Sequence, residues 1–365
     1  MFAQLPAILL SIVGLAAGPA ATSSASTTAC FPQPSSCGYP DATTTGVPAG
    51  TALTSSSNVT LSSGQIMRAK DVTGSVTVTG PNVTIEDSKI HTNDGGSGET
   101  AITLQNGATN FKLIRSEVYG NGSQTDAPES GVWNHYNNAG AQAIGSYIHG
   151  SPDNWEGRVD LVKDSYMIVD AQYSGAHSEN IYICGSTAIV EHSTLYNESD
   201  ETSLIFGDGI CGQGNTVSVT DSMLAGGGYM LEPNAKGVSA PVTITGNRVG
   251  RCLSSSQQDS GGGYVCSGGA DSSGYWPRGG HYGISADLGS SATWSGNVWD
   301  DNGQPVCANG STGCGHPPTL RVSLTVLLRA LGVAGLLEPA AAHPASAAVK
   351  VKTRRGQRAH RAAKR

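Results

Sequence analysis

The residues of this 365-residue chain best suited to chemistry are acids, histidines and one arginine, gathered in three neighbouring stretches. Asp153-Asn-Trp-Glu156-Gly-Arg158 comes first, then His177-Ser-Glu179-Asn180, then His192 with Asp200-Glu201. A histidine works as acid or base near neutral pH, and nearby carboxylates raise its pKa. Carboxylates about 5 Å apart suit a retaining glycosidase, and a wider separation suits an inverting one. In β-elimination from a uronic acid, a base removes the proton next to the carboxylate while a cation stabilises the enediolate. Arg158, a bound calcium ion or His177 would supply that charge, and crowded carboxylates make an oxygen site for Ca2+. The candidate catalytic set is therefore Asp153, Glu156, Arg158, His177, Glu179 and Glu201. Trp133, Trp155 and Tyr182 are the candidate substrate-binding residues, because apolar sugar faces lie on aromatic rings. The plain alternative is that acids in so acidic a body only cap exposed turns.

The elements that must position these groups follow from a repeat. Eight times a short apolar stretch runs into a Ser or Asn followed, two residues on, by one more apolar residue. The markers are Ser88, Ser116, Ser146, Ser165, Ser193, Ser222, Asn247 and Asn297, spaced 28, 30, 19, 28, 29, 25 and 50 apart. The last step reads as two turns with one unmarked. A 20- to 30-residue repeat of β-formers means a solenoid whose repeats bury their apolar faces against their neighbours. The expected fold is all-β: one right-handed parallel β-helix, its hand set by the chirality of parallel β connections. Stacked polar side chains at one bend of each coil hydrogen-bond along the stack, and Ser and Asn tolerate the bent backbone there.

A strand returns after each marker, as in Gly131-Val-Trp-Asn134, Asn180-Ile-Tyr-Ile183 and Ser203-Leu-Ile-Phe206. Alternation predicts Ile181, Ile183, Leu204, Phe206 and Leu231 inside. Thr103, Trp133, Tyr182, Ile205 and Met230 then form an outward column, about 4.8 Å apart per coil. Glu99, Glu129, Glu179 and Glu201 lie at the starts of such strands.

Composition agrees with a single long coil. Charged residues are 13% and Gly numbers 49, which serves tight turns between short strands. Residues 1–25 read as an export signal, with an apolar run from Leu5 to Ala17. Residues 26–50 read as a disulfide-bearing cap, 51–316 as the β-helix and 317–365 as a basic, disordered tail. Eight cysteines fit an oxidising destination, outside the cell. Neighbouring spacing pairs Cys30 with Cys37, Cys252 with Cys266 and Cys307 with Cys314, leaving Cys184 for Cys211. Residues 321–365 hold ten Lys or Arg and one acid, which leaves 11 basic and 27 acidic residues before them. That body, net −16, excludes nucleic acid as a partner held by a general field. No membrane partner is expected for it, and a monomer is.

Cys37-Gly-Tyr-Pro-Asp-Ala-Thr-Thr-Thr-Gly-Val-Pro48, Leu224-Ala-Gly-Gly-Gly-Tyr-Met-Leu231 and Asn297-Val-Trp-Asp300 resemble segments of secreted right-handed β-helix proteins common in actinobacteria. The likeness spans roughly residues 30 to 316 and implies the pectate-lyase-like superfamily, whose enzymes mostly cleave polysaccharides, often acidic ones. Relatives carry a His-Asn-Asp-Gly-Ile-Gln-like stretch where this chain has His177-Ser-Glu-Asn-Ile-Tyr182. The Arg-Ile-Lys signature of polygalacturonases does not occur in the chain. These readings together lead to an extracellular polysaccharide-active protein, a lyase ahead of a hydrolase, with a non-catalytic glycan-binding β-helix as the alternative.

Overall fold

The computed structural model describes residues 29–31, 33–199, 202–208, 214–234, 241–250 and 283–308. The expected export signal and the basic tail lie outside them, as do Asp200, Glu201, Cys211, Cys252, Cys266 and Cys314. The described chain winds as a right-handed parallel β-helix of three sheets. A ten-stranded sheet runs from Thr54–Ser56 to Val298–Trp299. A nine-stranded sheet, the groove sheet, runs from Val59–Leu61 to Gly283–Ser285, and a third, also of nine strands, from Ile66–Arg68 to Thr293–Ser295. The lumen is filled by columns of one residue per coil. In the third sheet the column is Ile85, Leu113, Ala143, Val162, Val190, Val219 and Ile244, all fully buried. Each large aliphatic side chain there contributes about 1.5–3 kcal/mol by leaving water.

The predicted Ser/Asn column forms at the corner between the third and ten-stranded sheets. Each marker's backbone N–H donates to the side-chain oxygen of the marker one coil on. The distances are 3.1 Å from Ser88 to Ser116, 3.1 Å from Ser165 to Ser193, 3.1 Å from Ser193 to Ser222, 2.9 Å from Ser222 to Asn247 and 3.0 Å from Asn247 to Asn297. Each serine hydroxyl in turn donates to the carbonyl two residues before it, as Ser193 does to Glu191 at 2.9 Å. The bend itself falls one residue earlier than expected. The left-handed backbone belongs to Asp87, Arg115, Asp164, His192 and Asp221, or to Gly145, Gly246 and Gly296, while the markers supply only the oxygen. The 50-residue step is also corrected: Arg248 pairs directly with Val298, so Asn247 and Asn297 sit on successive coils and the step is a single coil.

Residues 29–50, the expected cap segment, lie as a strap along the outer face of the ten-stranded sheet. Asp300 in the last coil accepts the Cys30 and Phe31 backbone N–H groups at 2.8 and 3.0 Å and pairs with Arg248 at 2.9 Å. Farther along, the Tyr39 ring lies 5.7 Å from His192, and Gly46 donates to the Gly145 carbonyl at 3.0 Å. Gly46 has a φ of 80°, and a Cβ there would stand 3.3 Å from that of Tyr147, so both conformation and space call for glycine. The strap covers Tyr166, Ile168, Tyr196, Met223 and Ala225. Its end is tied by the expected Cys30–Cys37 disulfide around a 3-10 turn at Pro34–Cys37. Cys184 and Cys307 are also disulfide-bonded.

Two outcomes are expected. Ser193→Ala leaves the buried Ser165 N–H without an acceptor, and urea melts should show a loss of about 1–3 kcal/mol. Asp300→Ala removes both strap contacts and the Arg248 partner, so limited proteolysis should cut within residues 29–50 of the variant and spare the parent protein.

Candidate functional site

Register sets the outer face of the groove sheet. The strand Pro128–Asn134 pairs with Asp153–Gly157, that with Glu179–Cys184, and that with Ser203–Asp208. One outward column therefore reads Thr103, Trp133, Glu156, Tyr182, Phe206 and Glu232. Three of the expected stripe residues hold, Thr103, Trp133 and Tyr182, and two do not. Ile205 and Met230 are fully buried, and Phe206 stands outside in place of Ile205. The reason is a bend at which two successive residues turn inward: Asn180 and Ile181 in one coil, Leu204 and Ile205 in the next, all fully buried. Trp155 is corrected too. It fills the lumen, fully buried, with its indole N–H 3.1 Å from the Arg158 carbonyl and its ring 6.5 Å from Phe111.

Three positions upstream of that column, Ser130, Asp153, Glu179 and Ser203 stack coil upon coil. Here the predicted Asp153 and Glu179 meet. The Glu179 N–H donates to Asp153 Oδ1 at 3.1 Å, which sets the two carboxyl groups side by side on adjacent strands. Burial, then the charge of Glu179, holds Asp153 well above the usual carboxylate range; burial raises Glu179 as well. His177 is exposed, and its Nδ1 lies 3.1 Å from the Thr202 hydroxyl. Thr202 has a φ of 52°, costing about 1 kcal/mol or more for a β-branched residue.

Glu156 is buried, and its Oε2 lies 2.6 Å from His135 Nε2 while Oε1 has no protein partner. His135 also fills the gap in the aromatic column. Its ring stacks on Trp133 at 4.8 Å and on Tyr182 at 6.1 Å, and Tyr182 stacks on Phe206 at 5.9 Å. These rings spend their faces on one another and turn edges outward, with the Tyr182 hydroxyl 3.3 Å from Asp208. Tyr136, 50% exposed, stands edge-on to Trp133. The run Trp133-Asn-His-Tyr136 was the signal for His135 and Tyr136 in the sequence, hidden by attention to the strand alone.

A clasp of two loops walls this site. Asp126 and Tyr173 form an antiparallel bridge, with Ala127 donating to the Gln172 carbonyl at 2.9 Å and Gln172 to that of Gln124 at 3.1 Å. The intervening coil, the 19-residue one, is too short to fill the space between them. Beneath the clasp Asn154 Nδ2, Ser178 Oγ, Asn180 Oδ1 and Ser203 Oγ are buried without protein partners. Such groups in a native fold hold water or ligand.

The structure does not deliver Arg158 as a free cation. Its guanidinium binds Asp160 at 2.8–2.9 Å, beyond the turn at Gly157. Glu201 lies outside the described residues. Among the described residues no group of three or more His, Cys, Asp or Glu side chains converges as a metal site. The chain matches no family model, no curated protein and no solved structure.

Ionising a carboxyl whose folded pKa is raised opposes folding, so stability should fall as pH rises above the usual carboxylate range of about 4. Asp153→Asn keeps a donor to Glu179 and removes that titration. Its melting temperature should exceed the parent's at pH 7 and match it near pH 3.

Proposed function

We propose that this protein is an exported polysaccharide-cleaving enzyme that works by hydrolysis, with the Asp153–Glu179 pair as general acid and Glu156 as general base. The reading rests on the paired carboxyls of half-buried Asp153 and buried Glu179: an acid that keeps its proton above the usual carboxylate range is what a general acid needs. Because that pair acts as one group, it is not an acid and a separate nucleophile. Glu156 lies three residues along the same strand from Asp153, about 10 Å of backbone, which favours the wider carboxyl spacing of inverting enzymes. The pair gives its proton to the leaving glycosidic oxygen as the bond to the anomeric carbon breaks. A water attacks that carbon from the opposite face and passes a proton to Glu156 Oε1. The His135 contact at Oε2 orients Glu156.

Electrostatics favour hydrolysis over the elimination expected from sequence. Asp153, Glu156, Glu179, Asp208 and Glu232 share this face, and the nearby guanidinium is committed to Asp160. A uronate would meet like charges here, and its enediolate would lack a cation. The substrate that suits the face is an uncharged glycan. Membership of the pectate-lyase-like superfamily and export from the cell belong to the same proposal, supported by the parallel β-helix and the Cys30–Cys37 bridge. The second reading, a glycan-binding β-helix without chemistry, draws on the aromatic column of Trp133, His135, Tyr182 and Phe206.

Incubation with a panel of neutral polysaccharides should release reducing ends, with the inverted anomer seen first by proton NMR. Glu156→Gln and Glu179→Gln should each lower kcat at least a hundredfold, and activity should decline as pH rises through the raised pKa of the pair. Full activity in Glu179→Gln, or a calcium-dependent rise at 232 nm on uronic-acid polymers, would sink the proposal.

A further inference from the structure

On the other side of the clasp from the carboxyl pair lies a cleft of about 810 Å3, where the ten-stranded sheet hands over to the groove sheet. Its walls are the Gln124–Thr125 turn, residues 169–174, and Glu198 with Ser199. A smaller hollow of about 140 Å3 adjoins it, sharing Gln124, Asp170 and Ala171. The combined space is in the range of small-ligand sites.

Its chemistry is that of an uncharged ligand. No Lys or Arg lines the cleft. Asp170 is already engaged, accepting the Gly150 N–H at 2.7 Å and facing His149 Nδ1 at 3.7 Å. His149 in turn lies 3.3 Å from Glu117, which Lys89 holds at 2.6 Å, so this chain of charges is balanced within the protein. Besides Glu198 and Ser199, the lining offers a ligand the Gln124 and Gln172 side-chain amides and the Thr125 and Ser174 hydroxyls, over Val169 and Ala171. Amides and hydroxyls above a small apolar floor match a sugar, with its hydroxyl rim and apolar face, and Glu198 in the wall disfavours an anionic one. Tyr173 joins the two sides of the clasp. It lines the cleft, and its hydroxyl feels the carboxylates of Glu129, Asp153 and Glu156, which with burial raise its pKa.

We infer that this cleft is a binding subsite for an uncharged oligosaccharide, holding sugar units of a chain whose next linkage reaches Asp153 and Glu179 past Tyr173. The position of the linkage rests on the hydrolase reading; the binding does not. The test uses the full chain carrying Glu179→Gln, so that nothing is turned over, titrated with cellohexaose, mannohexaose, N-acetylchitohexaose and pentagalacturonate. At least one neutral hexaose should bind, and pentagalacturonate should not. Ser174→Trp and Thr125→Trp fill the cleft from exposed positions, and each should weaken that binding at least tenfold with an unchanged melting temperature. Binding lost in the tryptophan variants, with no turnover by the parent protein, would keep the cleft and end the hydrolase reading. Turnover by the parent with unchanged affinity in those variants would do the reverse. Failure of every neutral hexaose to bind, or tighter binding of pentagalacturonate, would overturn the inference.

Discussion

The structure depends on one interaction repeated coil after coil: a backbone N–H at a left-handed corner donating to the Ser or Asn oxygen of the next coil. A parallel strand has no intrinsic register, since sliding by two residues keeps every side chain on its proper face. The corner removes that freedom. An N–H turned inward at a bend finds an oxygen only if the next coil places its own bend at the same height. Once the corner is aligned, all three sheets inherit the alignment, and Asp153 falls on Glu179 and Tyr182 on Phe206 as a consequence.

That inherited alignment explains how charges come to be crowded where a surface would keep them apart. Two acids one coil apart in a column oppose each other's ionisation, and burial adds to that, so both are held above the usual carboxylate range. The clasp forms beside them because one coil is nine to eleven residues shorter than its neighbours and leaves room for the flanking loops to join. Strain at Thr202 and the unpartnered polar atoms beneath the clasp concentrate in the same coils. Departures from local preference gathered in one place are what a working site costs in stability.

The fold was legible because its defining residues are one-dimensional: a marker and its apolar flanks recur within eight residues of chain. The site was only partly legible. Asp153, Glu156, Glu179 and His177 fall together as read, since their strands pair in order. Phe206 and Ile205 were exchanged because alternation assumes a straight strand, and the bend at Asn180 and Leu204 sends two neighbours inward. The residue type of Trp155 suggests a sugar platform, yet its strand position pairs it with Val132 and Ile181 in the inward column, so the indole fills the lumen. Arg158 was read as free because Asp160, two residues away on the next sheet, becomes its partner only once Gly157 turns the corner. The 50-residue step was divided in two because spacing alone does not distinguish a missing marker from a long coil.

The strap has a consequence for how the chain reaches this state. A solenoid held only by neighbours frays from its ends and can zip up one coil at a time. Cys30 and Asp300 are 270 residues apart in sequence. Their contact ties the last described coil to the strap, so that coil does not open without releasing it. The middle of the strap can dock as soon as the coils of Gly145 and His192 exist, but its Cys30 end, which lies over Tyr196 and Met223, has no acceptor until the coil of Asp300 is in place. The finished molecule is thereby marked off from every shorter stack of coils by a clasped seam that no intermediate can close.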